Sequence, residues 1–315
     1  MLVTPSCLKV TIVPIHLSSV SRRQFLTQSA AALASVSVLR VGFAAEASEV
    51  TTLALVSDTH VPKTTDTTAR GVNMTDNLNR VVRQINALET KPAAVLFNGD
   101  CAYLKGLPED YANFANSVQP LIDAEQQLHM TMGNHDNIPN FYNALTAQRP
   151  EKPLVASKHV TVLETPHANL FLLDSLMKTD IVTGELGEAQ LKWLAETLDA
   201  RADKPAIVMA HHTLHMEPIE VGKTIGGIAD TAEFLKVLHA RPQVKAYVFG
   251  HSHVWAHTKD GDLDLINLPA CAYVFNEAQP NGWTLARLSK SGIEFELQAH
   301  DKSHKNHKQV FAVNW

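Results

Sequence analysis

Gly133-Asn134-His135-Asp136 sets three side chains of different chemistry directly behind a short apolar run, residues 128–132. The Asn134 amide can ligate a hard or borderline metal, the His135 imidazole can move a proton, and the Asp136 carboxylate can orient that imidazole. Four other apolar runs end in the same kind of residue. Residues 52–56 precede Asp58 and His60, 93–97 precede Asp100, 206–210 precede His211, and 244–249 precede His251 and His253. Carboxylate, amide oxygen and imidazole together, with no thiolate, suit Fe, Mn or Zn in a reactive rather than a structural site. Seven such ligands are too many for one ion. They fit two ions about 3.5–4 Å apart, with one carboxylate shared between them.

These groups need a scaffold that brings five chain segments together. The apolar runs are short enough for strands and alternate with helical patterns, which predicts an α/β sandwich. Residues 75–89 carry Leu78, Val81, Val82, Ile85 and Leu88 at helical spacing, with Thr75 as the expected N-cap. Helices are also expected over 110–125, 188–198 and 231–238. A strand is expected over 170–173, and antiparallel ones over 263–268, 283–288 and 293–298. The polar stretch 301–308 reads as a solvated terminus. Ligands of open α/β sheets gather outside the carboxyl ends of the strands, so the five strand ends are expected on one rim of one sheet.

Taken in order, Asp58-x-His60, Gly99-Asp100, Gly133-Asn134-His135-Asp136, His211 and Gly250-His251-x-His253 resemble the motif set of the calcineurin-like metallophosphoesterases. The resemblance spans about residues 50–300. It implies a four-layer α/β sandwich, two mixed β-sheets flanked by helices, and two divalent or trivalent metal ions. By the same resemblance Asp58, His60 and His253 hold one metal, Asn134, His211 and His251 hold the other, and Asp100 bridges them. His135 then stabilises the phosphoryl group or protonates the leaving oxygen, with Asp136 aiming it. The implied reaction is phosphoester hydrolysis by in-line attack of a metal-bridging hydroxide.

Asp174-Ser175, Gly184-Glu185-Leu186, Gln190-Leu191-Lys192-Trp193-Leu194 and the doublet His211-His212 are similar to segments of the cyclic-nucleotide phosphodiesterase and glycerophosphodiesterase branch. That likeness implies a phosphodiester substrate and makes His212 a candidate substrate contact. Gly99-Asp100-Cys101-Ala102-Tyr103 also matches the Gly-Asp-x-x-Tyr of purple acid phosphatases, in which the Tyr ligates iron. That branch has Asp-x-Gly where this chain has Asp58-Thr59-His60, so Tyr103 is read as core or pocket lining and a phosphomonoesterase as the alternative. A non-catalytic module on the same scaffold would have lost ligands, and here every position is filled. Metal storage would need His-rich tracts, of which His300, His304 and His307 are the sole hint.

The 315-residue chain has a net charge of −5 and 45% hydrophobic residues, with no basic stripe, so a nucleic-acid partner held by phosphate contacts is not expected. The partner implied instead is a small phosphoester. Ser21-Arg22-Arg23-Gln24-Phe25-Leu26, the weakly hydrophobic stretch 29–38 and Ala45-Glu46-Ala47 resemble a twin-arginine (Tat) signal. Residues 1–47 are therefore set aside as N-terminal extension and signal, and 48–315 are read as one metallophosphoesterase domain. The implied partner at that stage is the Tat export machinery, and the implied location is periplasmic or secreted, with no membrane span in the mature chain. The sequence carries no signal for an oligomeric state. Three cysteines form no CxxC; Cys101 and Cys271 are expected as buried free thiols, with a disulfide as the alternative after export.

Overall fold

The computed structural model describes residues 50–219 and 224–315; the extension and signal assigned to residues 1–47, with Cys7, lie outside them, as do residues 220–223. In chain order the main strands are β1 (Thr51–Ser57), β2 (Ala94–Asn98), β3 (Leu128–Thr131), β4 (Thr161–Glu164), β5 (Asn169–Leu172) and β6 (Ala206–Met209). They continue with β7 (Val244–Phe249), β8 (Ala256–Asp260), β9 (Leu263–Asn267), β10 (Gly282–Ser289), β11 (Gly292–Ala299) and β12 (Val310–Asn314). The principal helices are α1 (Met74–Asn86), α2 (Pro108–Asp123), α3 (Ile138–Ala144), α4 (Glu188–Asp199) and α5 (Thr231–His239).

Two six-stranded mixed sheets result, in the orders β12-β11-β10-β1-β2-β3 and β8-β9-β7-β6-β5-β4. β1, β2 and β3 run parallel in the first, and β5, β6, β7 and β9 run parallel in the second. The two-residue period of a strand divides the core into layers. Leu53, Leu55, Ala94 and Leu96 of the first sheet bury with Leu170, Leu172, Ile207, Met209, Ala246 and Val248 of the second. The alternate residues Ala54, Val56, Val95 and Phe97 face Leu78, Val81, Val82 and Ile85 of α1 and Phe114, Val118 and Leu121 of α2. Phe171, Val208, Tyr247 and Phe249 likewise pack with Leu191, Leu194 and Leu198 of α4 and Phe234 and Leu238 of α5. Helix, sheet, sheet, helix is the four-layer sandwich that the motif resemblance implies.

Several local expectations change. α1 is capped by Asn73, whose side chain accepts from the Asp76 N–H, two residues ahead of the expected Thr75. β9 runs parallel to β7 and antiparallel to β8, which the alternating tail pattern does not reveal. Past the polar stretch 301–308 the chain returns as β12 to pair with β11. The largest change concerns the ligand-bearing strands. They do not share one sheet: β1, β2 and β3 belong to the first, β6 and β7 to the second, and the groups meet where the carboxyl ends of both sheets converge.

Candidate metal centre

Five of the seven candidate ligands leave their strands through a backbone that few residues adopt. Asp58, His60, Asp100, His251 and His253 all have positive φ, between 44° and 67°. For a residue with a Cβ each such conformation costs of order 1 kcal/mol or more, which persists only where the surroundings enforce it. Glycines make room for the crossing segments. A Cβ on Gly133 would overlap Asp100 Oδ1 and its backbone N, and one on Gly250 would overlap Ser57 Oγ and Asp58 Oδ2. These glycines are needed for the closeness of their neighbours, since neither has positive φ.

Two sets of donor atoms converge. Asp58, His60 and His253 bring one ligand atom each within 4.8 Å of the others, and so do Asp100, His211 and His251. Between the sets, His60 Nε2 lies 3.8 Å from Asp100 Oδ2 and His211 Nε2 lies 3.9 Å from Asp58 Oδ1. Asn134, the seventh expected ligand, is 3% exposed, and its Oδ1 has no hydrogen-bond partner. The structure thus brings six of the seven together, and the backbone joins Asn134 to them where the His135 N–H donates to Asp100 Oδ1.

The residues fit metal ions because outer hydrogen bonds fix where the ring protons are. His253 Nδ1–H donates to the Tyr273 carbonyl at 2.6 Å and His211 Nδ1–H to the Asn98 carbonyl at 2.9 Å, which leaves both Nε2 lone pairs facing inward. His253 Nε2 then points at Asp58 Oδ1, 3.3 Å away, and His211 Nε2 at Asp100 Oδ2, 3.2 Å away. Lone pairs aimed at carboxylate oxygens repel unless a cation lies among them. His60 and His251 have no such tie: the His60 Nδ1 is buried and unpartnered, and the His251 Nδ1 lies 3.3 Å from His211 Nε2.

The electrostatics say the same. Burial opposes charge on His211, yet the carboxylates of Asp100 and Asp58 overcome it and raise the imidazole to about 10. Asp58 and Asp100 are pulled below the usual carboxylate range in spite of burial, Asp58 by His253 and His211, Asp100 by His211 and His60. Burial drives His60 down to about 3 and His251, also disfavoured by the charge on His211, to about 4. A cluster that retains a proton among two buried carboxylates far into the alkaline range is one that calls for positive charge.

His135 and Asp136 divide differently from the expectation. His135 is partly exposed, with its Nδ1 2.6 Å from the Leu104 carbonyl and its backbone N–H on Asp100 Oδ1 at 2.9 Å. Asp136 makes no contact with that imidazole. Its Oδ1 accepts from the Cys101 and Ala102 N–H groups and the Tyr111 hydroxyl, and its Oδ2 accepts from the Gly133 N–H. The carboxylate is a staple between the β2 and β3 loops, and Leu104 does the aiming assigned to Asp136.

His212 is corrected as well. It is fully buried, its Nδ1 lies 2.7 Å from Ser175 Oγ, and its ring packs 4.7 Å from that of His251, so it backs the centre and does not face a substrate. Tyr103 packs beside Met74, Ala272 and Tyr273, as a lining residue should. Cys101 and Cys271 are buried free thiols. Two aromatic residues that the sequence reading passed over belong here: Tyr273 stacks on His60 with centroids 5.1 Å apart, and Phe275 on His253 at 4.3 Å.

Comparison with known proteins agrees with this geometry. Residues 51–255 match the family model described as Calcineurin-like phosphoesterase. The 3',5'-cyclic adenosine monophosphate phosphodiesterase CpdA of Haemophilus influenzae is 25% identical over 246 residues, covering 75% of this chain and 85% of that protein. A probable glycerophosphodiester phosphodiesterase GpdQ of Arcobacter nitrofigilis is 30% identical over 169 residues, 53% of this chain and 57% of that protein. Among solved structures, a dimetal phosphatase from Danio rerio superposes with a TM-score of 0.64 at 15% identity, covering 84% of this chain and 99% of that one, a likeness of fold.

Proposed function

Because the chain belongs to the calcineurin-like phosphoesterase family and so is a hydrolase of phosphoester bonds, we propose that it cleaves phosphodiesters, cyclic nucleotides or glycerophosphodiesters, at a binuclear metal centre. The observation that carries the binuclear reading is the pairing of two donor triads, Asp58–His60–His253 and Asp100–His211–His251. Asp100 Oδ2 lies 3.8 Å from His60 Nε2 and 3.2 Å from His211 Nε2, so it would be within reach of ions held by either set. Bound ions of the Fe, Mn or Zn type supply Lewis acidity and an activated water.

The chain's own groups do the rest. His253 and His211 are held in the inward-facing tautomer by the Tyr273 and Asn98 carbonyls. The Leu104 carbonyl accepts a hydrogen bond from His135 Nδ1–H, leaving Nε2 to give or take a proton at the leaving oxygen. Asp100 fixes the peptide that carries His135 and thereby the position of that ring.

The diester preference draws on the named relatives and on the Asp174-Ser175 and His211-His212 segments. A panel of a bis-aryl phosphate, an aryl monophosphate, cyclic nucleotides and glycerophosphodiesters tests it on metal-reconstituted protein. Diester turnover is expected to exceed monoester turnover, to vanish with a chelator and to return with added metal. Monoester turnover far above diester turnover would favour the purple-acid-phosphatase-like alternative, and turnover untouched by chelation would remove the metal from the reaction.

Export completes the reading, on the strength of Arg22-Arg23 and the stretch behind them. Among the described residues no helix is long and apolar enough to cross a membrane. The mature protein is expected in the periplasmic fraction of a normal host and the full-length form in the cytoplasm of a Tat-deficient one. Equal export by both hosts would point to the general secretory route.

A further inference from the structure

Tyr273 and Phe275 do more than stack on the ligand imidazoles. Both continue as the wall of a cavity of about 500 Å³ whose lining includes Arg70, Glu277, Asn281 and Asp301. Phe275 is 55% exposed although its ring lies against a ligand histidine. Arg70 reaches this wall from the two-residue turn that joins the short strands Thr68–Ala69 and Val72–Asn73. Its φ is 48° and that of Gly71 is 80°; the first position of such a turn ordinarily takes Asn, Asp or Gly. An arginine held there in the left-handed region presents its side chain at a fixed point.

The Arg70 guanidinium carbon lies 4.7 Å from the Phe275 centroid and 5.8 Å from that of Tyr273. Among the described residues no carboxylate or carbonyl accepts a hydrogen bond from it, so its fork of donors is unspent beside a cavity that adjoins the metal ligands. A flat cation on an exposed ring, one ring removed from the centre, is a stacking platform.

Resting on the phosphodiesterase reading above, we infer that Arg70, Phe275 and Tyr273 form the subsite that receives a planar heteroaromatic group of the substrate, a nucleobase, and so set specificity. The guanidinium and Phe275 offer planar faces for stacking, and the guanidinium edge offers donors to ring nitrogens or carbonyls. The Glu277 and Asp301 carboxylates, on the same lining, offer acceptors to an exocyclic amine. A choline or ethanolamine head group would bring a second cation against Arg70.

The test uses Arg70→Ala, Arg70→Lys and Phe275→Ala in two assays. The first is kcat/KM of metal-reconstituted protein for cyclic AMP and for glycerophosphoethanolamine. The second is calorimetric binding of adenosine 5'-monophosphate to the metal-free protein. The ratio of kcat/KM for cyclic AMP over glycerophosphoethanolamine is expected to fall about tenfold in the two alanine variants, mainly through KM, with a similar loss in nucleotide affinity. Arg70→Lys, which keeps the charge and loses the plane, should recover only part of it. Equal losses for both substrates, a larger loss for the glycerophosphodiester, a lysine variant equal to wild type, or no change would each overturn the assignment. Wild-type protein that cleaves neither diester would overturn the phosphodiesterase reading by itself, and nucleotide binding would still report on the subsite.

Discussion

Asp100→Asn should give a folded protein that fails to retain its full metal content and turns diesters over about 10³-fold more slowly. The neutral amide can still accept the His135 N–H, so the loop keeps its main tie. What disappears is the negative charge 3.2 Å from His211 Nε2 and 3.8 Å from His60 Nε2, which reaches toward both donor sets. Metal analysis after dialysis measures the first effect. Thermal unfolding of the metal-free forms separates it from misfolding, because, against burial, His211 and His60 hold the Asp100 carboxyl well below the usual range and that attraction goes with the charge. The metal-free variant is therefore expected to melt cooperatively and somewhat below the metal-free parent. A much lower melting point with full metal content would recast Asp100 as a residue that serves the fold.

His135→Ala is expected to behave in the opposite way, with both metals kept and the rate down about 10²–10⁴-fold. The backbone N–H that binds Asp100 survives the substitution, and the lost ring was tied only to a carbonyl. The effect should fall on kcat more than on KM, since proton delivery matters in the transition state and little in the bound ground state. His135 does lie near His60 and Asp100 in ligand-compatible geometry. Metal content is therefore the decisive measurement, and loss of an ion would move His135 into the ligand set.

Much of the centre was legible because its chemistry sits at strand ends. An apolar run that stops at Asp, His or Asn shows both the element and the group it presents, and five runs of that kind show a shared rim. The aiming of His135 was not legible. A carboxylate beside an imidazole in sequence suggests a pair, yet Asp136 turns into the loop and a backbone carbonyl, which no residue type announces, holds the ring instead. His212 failed for a related reason: its ring stays beside those of His211 and His251 but turns its Nδ1 to Ser175, behind the centre, which no residue type announces. Arg70, Tyr273 and Phe275 come from loops with no periodicity, and only tertiary proximity joins them. The split of the ligand strands between two sheets was hidden too, because parallel strands of either sheet carry the same apolar signature.

That split makes the spacing of the metal ligands a readout of how the sheets seat on each other. Leu53, Leu55 and Leu96 on one side and Leu170, Ile207 and Met209 on the other form the bearing surface, and cores of this density transmit small displacements without absorbing them. A change of one methylene in that layer, remote from any ligand, would slide one half of the centre against the other. Catalytic tuning in this protein is thus open to residues that never approach the substrate, and a survey of rate variants confined to the cleft would overlook them.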